Sequence, residues 1–398
     1  MDPVAQDPDD GSSLNFTSEA AALRGHLIRL RRELHANPEI GMSTPWTVGR
    51  IIFELEYLDV PYTRLSCNQV VGRLGTRGGP GIALRADMDG LPVLEETGLP
   101  FASANGNMHA CGHDGHMAML IGAARLLKKA EDELPGTVYL CFQSGEETGE
   151  GWDVILDHLR EVGGVAQTAA LHLWADVDSG EISVVSGPRM AGVERFDITI
   201  TGLGGHGSRP DLAQDPIKPA AATILAISAI PSNMVNPLDP TVVHVGRLDA
   251  GTAFNVFPAT ATIQGQFRYF TPEARSAVRT AIETVAAGTA HAYGAEAKAV
   301  FKDPMPPVVN DADAVRRGER VIAGMPDLNN VEFERIAASE NFSQFLESYP
   351  GFMGYLGVRR PTVEQFYHHH PQFDIDEEAL PLGAEFLARY AYDFLREA

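Results

Sequence analysis

The chain has 398 residues, long enough for two or three domains, and its 44% hydrophobic and 21% charged content is that of a globular protein. A formal net charge of −22 repels phosphate backbones and excludes nucleic acid as an expected partner. No run approaches the roughly 20 uninterrupted apolar residues of a membrane helix, and three cysteines (Cys67, Cys111, Cys141) make no disulfide framework.

Residues 1–18 are polar and acidic, with neither a basic start nor an apolar stretch, so they read as neither a signal nor a transit peptide. With the sparse cysteines, this predicts a cytoplasmic protein. Ser18 is placed to cap a helix with apolar positions Ala22, Leu23, Leu27, Leu30 and Leu34, ending before Pro38. A second helix is expected from Pro45 to Leu58. The period then changes to short apolar strands, Val70–Leu74 and Ile82–Ala86, separated by a glycine-rich turn at 78–81. A helix from Asp114, a strand over Thr137–Phe142, a helix to about Arg160 and a strand over Gln167–Leu173 follow. Alternating strands and helices predict an α/β sheet covered on both faces.

Near Pro188 the pattern changes. Strands are expected at Arg195–Thr201, Val242–Leu248 and Thr262–Tyr269, with helices over Pro216–Ile230 and Pro272–Tyr293 between them. This block reads as an α+β insert with its own core, and Pro304, Pro306 and Pro307 mark its exit. A helix, a strand and an amphipathic helix over Glu377–Leu395 complete the chain. The expected domains are 14–187 with 304–398, and 188–303. There is no internal repeat or low-complexity tract.

Met108 to His116 places one thiol and three imidazoles in a short stretch before an apolar helix. Cys111-Gly112-His113 lets two donors flank one centre, since glycine adds no bulk and takes positive φ. A buried cysteine can equally be a small hydrophobe, and helix-start histidines can be caps. Asp87 and Asp89 end one strand, Glu146 and Glu147 another, and His172 sits near the end of a third. Such carboxylates are often solvated loop charges, and a lone strand histidine often belongs to the core. Their recurrence at the edge where open α/β sheets bind ligands argues for convergence on one site. Tyr367-His368-His369-His370-Pro371 adds imidazoles near the C-terminus.

Together these stretches carry a family resemblance. His109 to Asp114, Gln143 to Glu147, Leu171-His172, Gly205-His206-Gly207 with Asp215-Pro216-Ile217, Gly251 to Pro258, and His369 to Phe373 resemble the signature set of the co-catalytic metal amidohydrolases. These are the hippurate, N-acyl-amino-acid and indole-acetyl-amino-acid hydrolases of the aminoacylase and carboxypeptidase G clan. Arg31 to His35 with Pro38-Glu39 resembles that family's opening helix. The resemblance implies a mixed-sheet α/β metallopeptidase catalytic domain with an inserted, ferredoxin-like α+β lid and dimerisation domain. It assigns two divalent metal ions (zinc, manganese, cobalt or nickel) to Cys111, His113, Glu147, His172 and His369. Cys111 bridges them where other branches use aspartate. Glu146 matches the general base, and Asp89 a carboxylate that orients a ligand. His206, Asn255 and Arg268 match residues that contact substrate, with His206 reaching into the partner's site of a homodimer.

This chain departs from the family in having Ser144-Gly145 where Pro-Ala precedes the two glutamates. Trp152 follows a loop that is usually made of small residues, and Asn341 stands where aspartate is common. The implied reaction is hydrolysis of N-acyl or N-aroyl amino acids by a hydroxide bridging two cations about 3.5–4 Å apart. Glu146 moves the proton, and Asn255 and Arg268 hold the free carboxylate. A dipeptidase or carboxypeptidase with the same site, and a catalytically silent binding protein, are the competing readings.

Overall fold

The structure is a computed structural model that describes residues 15–75 and 78–397. The acidic stretch at 1–14 lies outside the described residues. The first helix, Phe16–His35, is capped by Asn15 rather than Ser18. A cap must be non-helical and accept an N–H from the first turn. The Asn15 side chain accepts from the Ser18 N–H at 2.9 Å, so the expected cap is its donor.

The chain forms two compact units. The first comprises the chain to Gly187 with Val309–Glu334 and Gln344–Ala398. Its eight-stranded sheet runs in the order Tyr62–Arg64, Val70–Leu74, Thr137–Gln143, Gly81–Asp87, Val165–Asp178, Gly351–Arg359, Glu181–Ser183, Asn329–Asn330. Gly81–Asp87 lies parallel to both neighbours, whereas Val70–Leu74 is antiparallel to Thr137–Gln143, so the sheet is mixed. Strands buried on both faces read as continuous apolar runs, and Gly81–Asp87 and Thr137–Gln143 are buried throughout. Helices Phe16–His35, His113–Lys129 and Ala379–Glu397 pack on one another over this core. Val165–Asp178 runs well past the expected end at Leu173, which leaves His172 inside the strand, opposite Tyr355.

The second unit is Pro188–Val308 with Arg335–Ser343. The sequence reading keeps the latter stretch with the larger domain. Four antiparallel strands run in the order Val242–Ala250, Thr260–Tyr269, Gly192–Thr201, Glu296–Met305. Phe196, Ile198 and Ile200 alternate into a core closed by helices Ile217–Ile227 and Pro272–Ala292. The single helix expected to Ile230 is two, because Pro231 cannot continue the hydrogen-bond ladder and a new turn begins at Ile230. Glu296–Met305 is a strand the sequence reading did not assign. It tolerates Pro304 because it is an edge strand and its register slips between Lys302 and Met305.

Candidate metal centre

Strand register sets up the site in the first unit. Asp87 pairs with Gln143, so the segments leaving the two strands start side by side. Asp89 then accepts the Glu146 N–H at 3.0 Å and the Glu147 N–H at 3.1 Å, one on each carboxylate oxygen. Gly112, at φ 90, turns the chain from Cys111 into the helix that starts at His113. At the C-terminal end His369 adopts φ 67 and donates its N–H to the Ala110 carbonyl at 2.8 Å. That bond brings His369 back to Cys111 across the chain.

The seven residues assigned to this unit come together. Donor atoms of Cys111, His113 and His172 lie within 4.8 Å of one another, as do those of Cys111, Glu147 and His369, so the thiol belongs to both groups. Glu146 forms a further group with His113 and Glu147. Cys111 Sγ is 3.6 Å from His172 Nε2, and Glu147 Oε1 is 3.5 Å from His369 Nε2 and 3.9 Å from His113 Nε2. The donor set fits two cations on one further observation. His113 Nε2 and Glu147 Oε1 are buried without a hydrogen-bond partner, a costly state that a cation relieves.

Two of the imidazoles, His113 and His172, are turned for ligation. His113 Nδ1 is 2.8 Å from the Asp89 carbonyl and His172 Nδ1 is 2.7 Å from the Leu173 carbonyl. A carbonyl only accepts, so each Nδ1 carries a proton and each Nε2 is the atom turned toward the other donors. Burial, reinforced by His116 and His368, holds His172 neutral well below the usual histidine range. Burial opposes ionisation of Glu147, but the approach of His369 and the charges of His113 and His369 outweigh it and keep the carboxyl low. Burial, with Asp87 and Glu147 nearby, pushes Asp89 up to about 6.

Sequence reasoning missed part of the support. Asp87 receives Arg85 Nη1 at 2.7 Å and His116 Nδ1 at 2.6 Å, while His116 Nε2 accepts the Leu173 N–H at 2.9 Å. The signal was His116 one turn beyond His113, on the same helix face. His368 stacks on Trp174 at 4.4 Å between ring centres and donates to the Leu173 carbonyl at 2.9 Å, the atom that also orients His172. His368, expected with His370 to lie behind the ligands or in solvent, is thus tied to the site through a shared acceptor.

The three residues assigned to the second unit are not all together within it. His206 pairs with Val256 in a two-stranded ribbon, and Asn255 accepts the Gly207 N–H at 2.8 Å, so these two are neighbours and both are exposed. Arg268 stands on another strand opposite Val242 and Val193, with Nη1 donating to Ser339 at 2.8 Å. Burial lowers the pKa of its guanidinium, and no carboxylate pairs with it among the described residues.

Comparison with known proteins agrees with this geometry. The model of peptidase family M20/M25/M40 matches residues 83–393. The chain is 38% identical to an N-acetylcysteine deacetylase of Bacillus subtilis, over 93% of this chain and 97% of that one. It is 36% identical to the IAA-amino acid hydrolase ILR1-like 2 of Arabidopsis thaliana, over 93% and 85%. The crystal structure of a dinuclear metal binding peptidase of the M20 family from Bacillus subtilis superposes with a TM-score of 0.84 at 34% identity, covering 95% of this chain and 100% of that one. A family model matched over residues 83–393 and relatives aligned over 85% or more of their length lead to one statement: this chain belongs to peptidase family M20/M25/M40.

Proposed function

We propose that the protein is a metal-dependent amidohydrolase that cleaves the amide bond of N-acyl amino acids, releasing a carboxylic acid and a free amino acid. The observation that carries this reading is the pair of donor groups joined at Cys111 with Glu146 beside them. The similar proteins named for deacetylating N-acetylcysteine and hydrolysing IAA-amino acids support the substrate class.

When bound, two divalent cations supply Lewis acidity at the scissile carbonyl and make water acidic enough to attack near neutral pH. Cys111, His113 and His172 would hold one, and Cys111, Glu147 and His369 the other. Sulfur, nitrogen and oxygen donors together suit zinc, manganese, cobalt or nickel, and metal analysis of the purified protein decides among them. Glu146, its backbone fixed by Asp89, takes the proton of the attacking water and returns it to the leaving amine. To the second unit we assign recognition. Arg268 and Asn255 take the substrate carboxylate, and His206 donates to the developing oxyanion. A half-buried guanidinium without a carboxylate partner suits an anion supplied by the substrate. We further propose that the second unit pairs two copies of the chain and that the protein works in the cytoplasm. Sedimentation tests the first, and no helix among the described residues is long and apolar enough to cross a membrane.

The test is a panel of N-acetyl, N-benzoyl and indole-acetyl amino acids against dipeptides, with metal-loaded and chelator-treated protein. Hydrolysis of N-acyl amino acids that disappears on chelation and returns with metal supports the reading, and turnover of dipeptides alone overturns it. Glu146→Gln should retain its metals and lose about 10²–10⁴ in kcat; unchanged turnover would remove Glu146 from the mechanism.

A further inference from the structure

Two residues before Glu146, Ser144 is fully buried where the chain leaves the strand Thr137–Gln143. Its peptide groups have no sheet partner left, and a buried unpaired amide costs about 1–3 kcal/mol. Gln69, also fully buried and 75 positions away, meets both. Its Oε1 accepts the Ser144 N–H at 2.8 Å and its Nε2 donates to the Ser144 carbonyl at 3.1 Å. The carboxamide therefore grips the residue as a neighbouring strand would. The Asn68 carbonyl accepts the Ser144 hydroxyl at 3.1 Å, and Thr44 bonds the same hydroxyl.

The surrounding chain is shaped around this grip. Cys67 and Asn68, immediately before Gln69, are both left-handed at φ 56 and φ 58, a conformation that costs non-glycine residues about 1–2 kcal/mol. On the other side Gly151, at φ 79, passes so close that a Cβ there would lie 2.0 Å from the Ser144 carbonyl oxygen and 2.6 Å from Gln69 Nε2. The loop between, Gly145 to Glu150, is closed by the Glu150 N–H on the Gly145 carbonyl at 2.7 Å. Among its ties are Asp89 on the N–H groups of Glu146 and Glu147, Gln143 Nε2 on the Glu150 carbonyl at 3.2 Å, and Gln69 on Ser144 just before it.

We infer that Gln69 is a positioning residue for the reaction, fixing through the Ser144 peptide the loop that aims Glu146. The inference rests on the role proposed for Glu146, and it accounts for how a serine with an N–H to satisfy is accommodated at this point of the loop. A displacement of about 1 Å in a catalytic group costs up to about 10²-fold in rate.

Gln69→Met keeps the length and removes both hydrogen bonds to Ser144, together with the one from Nε2 to the Cys67 carbonyl at 3.2 Å. With metal-loaded protein and an N-acyl amino acid, kcat should fall about 10- to 100-fold while KM stays within about twofold. Hydrogen exchange of the segment 143–151 should accelerate about tenfold or more while the remaining sheet is unchanged. A kcat within about twofold of the parent, or unaltered exchange in that segment, overturns the inference. Should Gln69→Met fail to fold, Gln69→Asn, of the same chemistry but one methylene short, carries the same two readouts. If the parent protein hydrolyses no N-acyl amino acid, the functional reading fails, and the exchange measurement still decides whether Gln69 holds the loop.

Discussion

The role proposed for Arg268 is a matter of one side chain's shape. A guanidinium is a planar fork that meets a carboxylate in two parallel hydrogen bonds, whereas an ammonium is a point charge. Arg268→Lys should lower kcat/KM for N-acyl amino acids about 10- to 100-fold and leave the corresponding N-acyl amides, which lack the carboxylate, nearly untouched. Steady-state kinetics on the two substrate types reads this directly, and an equal loss on both would remove Arg268 from carboxylate recognition. At this scale the clustering of the candidate donors was legible because Cys111 and His113 sit in one short run, Glu147 follows an apolar strand and His172 stands within one. Gln69 was not legible, since a neutral amide 75 positions from Ser144 leaves no periodic or compositional trace. Asp87 was noticed as one of two strand-end carboxylates, but its bonds to Arg85 and His116 depend on a strand and a helix meeting in space.

Among the elements, the helix Pro45–Tyr57 is tied to its neighbours through Glu54. Its carboxylate meets His26 of the first helix at 3.1 Å, Arg125 of the helix His113–Lys129 at 2.6 Å and Arg50 of its own helix at 2.8 Å. Burial opposes ionisation, yet these hydrogen bonds and charges prevail and hold the carboxyl down to about 2. The folded pKa lies below the ordinary value of 4.5, so this stabilisation is complete above about pH 4.5 and is lost as the pH falls toward 2. Glu54→Gln should cost about 1–3 kcal/mol at pH 7, and the gap to the parent should narrow at pH 3 in urea unfolding curves. A gap independent of pH would place the loss elsewhere than in the charge. Helices with strong apolar spacing were legible to within a few residues. The strand Glu296–Met305 escaped because its alternation, Ala297, Ala299 and Phe301 inward, merges into a proline-rich exit that reads as a linker.

The whole molecule has two separate apolar cores, one in each unit. Among the described residues, the donors of the candidate metal centre lie in the first unit. A ligand stabilises only the state that binds it, by about 2.7 kcal/mol at a hundred times its Kd. Scanning calorimetry should therefore resolve two transitions, with chelation lowering one and leaving the other in place; equal shifts in both would mean that the units unfold as one. The first unit is also assembled from three separated lengths of chain, and the last of them carries His369, whose N–H bonds Ala110. Translation delivers that histidine after every other donor. A nascent polypeptide that stops short of it has the thiol and its neighbouring imidazole but lacks the group proposed to complete the second cation pocket. On the proposed assignment, capture of the second ion therefore waits until the last of the three lengths has joined the first.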